Sequence, residues 1–184
     1  MSTSASVVFS AFSSASDPRL QGWVSFRAHL QADQPTAERL ARAPRRDEAR
    51  AEAGSDDGWS ARSGIWRLLA SNSRELGRSS SVYSSFAAAR AHVLALQARV
   101  DRMVATTVTG PSSGTHGWVV TVDDVAVMTS GRWYGTTSTT RDACAGALTA
   151  FRSALVMADA RLMVEPGARR PRRPSNDAEL AGAW

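Results

Sequence analysis

The side chains best suited to bind another molecule in this chain are arginines, because all 22 basic residues are arginine and lysine is absent. A guanidinium group binds phosphate in a bidentate geometry. Four arginines cluster near the C-terminus: Arg169, Arg170, Arg172 and Arg173. They form one candidate contact with a polyanion, although a bias toward arginine is also typical of proteins from GC-rich genomes.

A second candidate is a surface platform that combines tryptophan rings with neighbouring arginines. Its members are Trp66, Arg67, Arg132 and Trp133. Exposed aromatic rings stack on nucleic-acid bases, and adjacent guanidinium groups attract phosphates. Tryptophans at these positions are also suited to a protein core, and the core is the alternative that the pattern favours.

Familiar catalytic and metal-binding patterns are absent from the sequence. The glycine-rich stretch 110–117 lacks the lysine of a phosphate-binding loop, so it indicates a plain hairpin loop. His116, Asp123 and Asp124 could offer metal ligands, but aspartates at this place are typical of a tight turn. Cys144 lies on an apolar helix stripe and is expected to be a buried thiol. We therefore predict a non-enzymatic protein with no catalytic residue, metal site or cofactor.

Two stretches share one pattern, in which short apolar strands precede a helix with a single apolar stripe. They are residues 64–103 and 104–162, and their aromatic residues align at an offset of about fifty: Trp66 with Trp118 and Tyr83 with Tyr134. The stripes place Leu96 and Phe151 in the core, and the second helix is expected to continue to Leu162. We predict an α+β fold of two tandem strand-strand(-strand)-helix units, with an antiparallel sheet and helices packed on one face.

The first unit resembles the YegP-like repeat family. The residues that carry the resemblance are Trp66, Arg67, Leu68, Ala70, Asn72, Ser79, Tyr83 and Ala87. The family's repeat often occurs in tandem and consists of three strands and a helix. The resemblance covers residues 61–162 and implies the fold, but the family has no agreed activity and implies no site residue.

The remaining segments differ in composition from this core. Residues 61–165 are predicted to form the tandem-repeat domain. Residues 1–31 contain two apolar runs, which indicate an N-terminal hairpin. Residues 32–60 are charged and poor in large apolar side chains, as in a linker or a marginal helix. Residues 166–184 are rich in arginine and proline and are expected to be a disordered tail.

Composition also limits the compartment and the class of partner. A single cysteine excludes an internal disulfide, and no stretch is long and apolar enough for a signal peptide or a membrane helix. We expect a soluble cytoplasmic protein that has no membrane partner. It would act through binding or through self-association at its sheet edges. The alternative is a weak nucleic-acid-associated protein, whose binding would depend steeply on salt.

Overall fold

The computed structural model describes residues 4–12, 16–32 and 63–163. Within these ranges the chain forms seven strands and three α-helices. The strands are β1 (Ser6–Phe12), β2 (Ser63–Leu69), β3 (Glu75–Ser79), β4 (Val104–Thr109), β5 (His116–Val122), β6 (Val125–Thr129) and β7 (Leu155–Leu162). The helices are α1 (Pro18–Ala32), α2 (Phe86–Gln97) and α3 (Thr137–Arg152). The 32–60 linker and the 166–184 tail, which includes the four clustered arginines, lie outside the described residues.

All seven strands form one mixed sheet in the order β4-β5-β6-β3-β2-β1-β7. Every neighbouring pair is antiparallel except β1 and β7, which are parallel. The main core lies between this sheet and the helices α2 and α3. The predicted α+β class is confirmed.

The sheet has two corresponding halves that meet where β3 pairs with β6. Each half contains three strands followed by a helix, β1-β2-β3-α2 and β4-β5-β6-α3. Equivalent tryptophans lie at equivalent cross-strand positions, since Phe9 faces Trp66 and Thr107 faces Trp118. The predicted alignment of Trp66 with Trp118 is therefore confirmed, and α1 is an insertion between the first two strands of the first half.

Each repeat helix starts at a hydroxyl side chain that accepts a hydrogen bond from the first turn. The Ser85 hydroxyl accepts from the N–H of Ala88, and the Thr136 hydroxyl accepts from the N–H of Thr139. Such a cap satisfies a backbone donor that the helix cannot pair internally. Leu96 and Phe151, the predicted core residues of the two stripes, are both buried.

The second helix ends earlier than its stripe predicts. It stops at Arg152, and Leu155–Leu162 forms the edge strand β7 instead of two more helical turns. The side-chain amide of Gln97 donates to the carbonyl oxygens of Phe151 and Ala154, both at 2.9 Å, and so pairs one acceptor in the last turn of the helix and one just beyond it. In this segment hydrogen bonds to β1 replace those of a helix. The spacing of apolar residues along the sequence does not reveal such a distant partner.

The predicted N-terminal hairpin is corrected, because its second arm is the helix α1. Asp17 begins this helix, since its carboxylate accepts from the N–H of Arg19 at 3.0 Å. Pro18 takes the first helical position, where its missing N–H costs nothing. The hydrogen bonds from the Arg19 side chain hold the pKa of Asp17 below its usual value.

Helix α1 adds a third layer on the sheet face opposite α2 and α3. Its first turns pack Leu20 and Trp23 against Ile65, and its last turn packs Leu30 against Val119. Successive strand residues point to opposite faces, so Ile65 contacts α1 while its neighbour Trp66 contacts the repeat helices. The predicted packing of helices on one face of the sheet holds for α2 and α3, whereas α1 packs on the other face. None of the helices in the described ranges is long and apolar enough to cross a membrane.

Candidate functional site: a groove at the open sheet edge

Trp66 and Arg67 do not form the predicted platform. Trp66 is fully buried in the main core, where its ring stacks on Phe151 with 5.5 Å between centroids. Its indole N–H donates to the Tyr83 hydroxyl at 3.2 Å. Arg67 projects from the opposite face of β2 and lies 3.7 Å from the Glu75 carboxylate. The first pair of platform residues, Trp66 and Arg67, therefore lies on opposite faces of the sheet.

The second pair, Arg132 and Trp133, also has intramolecular partners. The Trp133 ring packs on Phe26 of α1 with 4.6 Å between centroids. The Arg132 guanidinium lies over the Tyr134 ring at 5.0 Å. The structure therefore uses Trp133 to fix α1 and does not bring it together with Trp66, as the platform required.

The aspartates at the β5–β6 connection have the role that the turn pattern predicts. Asp123 and Asp124 have positive φ angles of 52° and 62°, as a type I′ hairpin requires. The Asp123 carboxylate forms ion pairs with Arg99 and with Arg102. Among the described residues, no three histidine, cysteine or acidic side chains are grouped so that they could hold a metal ion.

The candidate site that the structure does present is a groove of about 500 Å³ at the edge of the sheet. It lies between the edge strand β4 and the helix α3, on the same face of the sheet as the main core. The residues that line it are Ala105, Thr106, Thr107, Trp118, Arg141, Cys144, Ala145 and Leu148. Most are small or apolar, with a single formal charge, so the groove is suited to an apolar group that carries a nearby negative charge.

The outer side of β4 offers main-chain hydrogen-bonding groups next to this groove. The carbonyl oxygen of Trp118 accepts from the N–H of Ser130 at 3.0 Å, so the polar main-chain groups of Trp118 point toward β6. Thr107 lies directly across from Trp118, in a pair that exchanges no hydrogen bonds. The N–H and C=O of Thr107 therefore point away from β5, to the open edge.

Two polar side chains of the groove have no partner among the described residues. The buried indole N–H of Trp118 makes no hydrogen bond, unlike that of its counterpart Trp66. Arg141 is exposed and forms no ion pair within the described ranges. The six-membered ring of Trp118 extends toward Gly77 on β3, away from β4, so its unpaired N–H belongs to the core and Arg141 is the polar group that the groove offers to a ligand.

The Cys144 thiol, which also lines the groove, is chemically unreactive near neutral pH. Burial raises its pKa to about 11. The nucleophile in cysteine chemistry is the thiolate, and very little thiolate exists near neutral pH at such a pKa. Cys144 therefore contributes apolar surface to the groove, as its place on the apolar stripe predicted.

We predict that Cys144 is alkylated at pH 8 on the order of a hundredfold more slowly in the folded protein than in denaturant, because its thiolate is suppressed and its sulfur is covered. Iodoacetamide labelling followed by mass spectrometry measures both rates. The folded rate should rise as the pH approaches 11. A folded rate close to the denatured rate would show that the thiol is exposed and ionised.

Sequence reasoning missed this groove, although the two halves contain a signal for it. Aligning the tryptophans places Thr107 where the first half has Phe9. A polar residue in place of a core phenylalanine indicates that the second half leaves this position partly uncovered. Phe9 is fully buried, whereas Thr107 is half-buried.

Comparisons with known proteins give one structural likeness. No family model and no curated protein matches the chain. The fold is similar to the solution NMR structure of yegP from E. coli, a protein of unknown function, with a TM-score of 0.40 and 18% sequence identity. The match covers 55% of this chain and 84% of that chain. The matched protein bears the name of the family that the residues around Trp66 resemble.

Proposed function

We propose that this protein acts through binding rather than catalysis, and that the groove between β4 and α3 holds part of its partner. The observation that carries the proposal is the open groove itself, lined by small and apolar side chains and by the Arg141 guanidinium, which forms no ion pair among the described residues. These features suit recognition of a group that is apolar on one side and anionic on the other.

The titratable groups in the groove support a binding role over a catalytic one. The Arg141 guanidinium offers hydrogen-bond donors and no acceptor. Cys144, whose pKa is raised to about 11, stays a neutral thiol. Neither group can act as a nucleophile or a general base near pH 7. Because a single buried thiol suits a reducing compartment, we also place the protein in the cytoplasm.

Self-association through the sheet edges is the variant of this proposal in which the partner is a second copy. It is supported by the exposed β7 side chains Leu155 and Met157 at the other edge. The nucleic-acid alternative has less support in the described residues, because the buried Trp66 cannot stack on a base. Binding that survives about 0.5 M salt would argue against phosphate recognition.

We expect benzoate, which joins an apolar ring to a carboxylate, to bind in the groove with millimolar affinity. In a ¹⁵N NMR titration the amide signals of residues 105–107 and of Ala145 should shift first. Benzyl alcohol, which lacks the charge, should bind more weakly because it gains nothing from Arg141.

Matched variants make this test specific. Arg141→Gln should weaken benzoate binding several-fold, whereas Arg90→Gln should leave it unchanged. Arg90 is the counterpart of Arg141 on α2, five residues after the Ser85 cap as Arg141 follows Thr136. If neither probe shifts the groove amides, or if both variants behave alike, the groove is not a binding site and the proposed function is wrong.

A further inference from the structure

The first half of the sheet contains a structure that the second half lacks. There β7 lies beside β1, parallel to it, and packs under α2. When the two halves are compared, β1 corresponds to β4 and α2 corresponds to α3. The position that β7 occupies in the first half therefore corresponds to the outer side of β4, under α3. The groove lies at this place, and no described strand pairs there.

The side chains around the two positions differ in bulk. In the first half the rings of Phe9 and Phe86 meet edge to face, with 4.9 Å between centroids. Phe86 follows the Ser85 cap and Thr137 follows the Thr136 cap, so Thr137 is its counterpart. Two threonines, Thr107 and Thr137, thus replace two phenylalanines, and the second half lacks the bulk that closes the first.

We propose that the groove binds an extended peptide segment of a partner protein, added beside β4 as an eighth strand parallel to it. The inference rests on the proposed function and names its partner class. The segment pairs with the outward N–H and C=O of Thr107, as in recognition by strand addition. It places a bulky apolar side chain in the space that Phe9 and Phe86 occupy in the first half, and a carboxylate near Arg141.

A second copy of this chain fits the groove poorly. Pairing β4 with β4 of another copy would offer the groove only the small side chains of Ala105 and Thr107, which cannot occupy about 500 Å³. Pairing β4 with β7 of another copy joins unlike edges, and such contacts propagate into open chains unless the rotation closes a ring. Since neither edge strand of the described sheet fits the groove, we assign it to a different chain with its own bulky residue.

The probe is a synthetic eight-residue peptide with the β7 sequence 155–162 and the changes Ala160→Phe and Leu162→Glu. Residues two apart lie on the same side of a strand, so the phenylalanine and the glutamate both face α3. Ala160 is one of the β7 residues packed against the main core. We expect this peptide to bind about tenfold more tightly than the unchanged β7 sequence, because it buries an additional aromatic ring.

Protein variants separate strand addition from other contacts. Thr107→Phe restores the residue of the first half, where Phe9 faces Ala160 of β7. It should abolish the preference for the phenylalanine peptide over the unchanged β7 sequence without lowering the melting temperature. Ala105→Pro should weaken binding at least tenfold because it removes an edge donor, which an edge strand tolerates. Arg141→Gln should weaken it several-fold and Arg90→Gln should not. A spin label on the peptide N-terminus should broaden the amide of Val104 more than that of Thr109 if the strands are parallel.

Each outcome of these experiments supports or overturns one of the two proposals. Peptide-induced shifts at residues 104–109, with a preference for the phenylalanine peptide that Thr107→Phe abolishes, support the proposal. If benzoate shifts the groove amides and the peptide does not, strand addition is wrong and the proposed function stands. If neither binds, both are wrong. Three other results would each overturn the peptide assignment. They are peptide-induced shifts confined to β7, stronger broadening at Thr109 than at Val104, and dimerisation through β4 detected by sedimentation.

Discussion

Truncation of Phe151 to alanine should lower the free energy of unfolding by about 3–5 kcal/mol, the range typical of a buried phenylalanine. Phe151 is fully buried near the end of α3, and its ring stacks on Trp66 of the other half. Its removal leaves a cavity at the junction of α3 with the first unit. Chemical denaturation of wild type and variant measures the loss when the free energy of unfolding depends on denaturant concentration with the same slope in both.

The matched control for this experiment is Leu94→Ala. Leu94 lies on α2 with 42% of its surface exposed, so its truncation should change stability by less than about 0.5 kcal/mol. A loss well under about 1 kcal/mol for Phe151→Ala would be incompatible with a core position. It would also imply that the two halves do not share one core.

Truncation of Leu30 to alanine should cost about 2–5 kcal/mol, because Leu30 is fully buried between α1 and the back of the sheet. This value tests the inserted helix as a structural layer. If α1 were a loosely attached element, the truncation would have little effect on global unfolding. Thermal and denaturant unfolding should both show the loss.

Val24→Ala is the control on the same helix. Val24 is 39% exposed, and alanine is the better helix former, so this change should be neutral or slightly stabilising. Equal effects of the two substitutions would contradict the orientation of α1. A small effect of Leu30→Ala with intact cooperativity would contradict its docking.

Local signals explain what the sequence predicted correctly. The Asp123-Asp124 turn and the strands on either side of it depend on neighbouring residues alone. The one-sided stripes placed Leu96 and Phe151 in the core because helical periodicity reports which side is apolar. Such features can be predicted from one sequence because their causes lie within a few residues.

The errors arose where distant partners decide the structure. Leu155, Ala158 and Leu162 continue a helical stripe, yet β1 pairs with this segment and makes it a strand. In residues 1–31 the two apolar runs predicted a hairpin, whereas Asp17 followed by Pro18 is the start of a helix.

The groove could not be predicted from residue types, because its lining contains no catalytic or ligand-binding pattern. It results from a difference between two equivalent positions, Phe9 and Thr107, and that equivalence depends on strand register. The candidate platform failed for the opposite reason. Its residue types were suitable, but alternation along β2 sends Trp66 and Arg67 to opposite faces.

The parallel contact between β1 and β7 affects how the chain can be made as well as how it is held. Ser6 pairs with Leu155, so β1 leaves the ribosome long before the strand that borders it. Contacts this distant in sequence slow folding, because a long loop must close before they form. A nascent chain stalled before residue 155 would expose the outer edge of β1, which would then be open to chaperones or to another nascent chain. The growing chain is therefore vulnerable to aggregation between the synthesis of β1 and that of β7, and protease sensitivity of stalled chains should fall sharply once β7 has emerged.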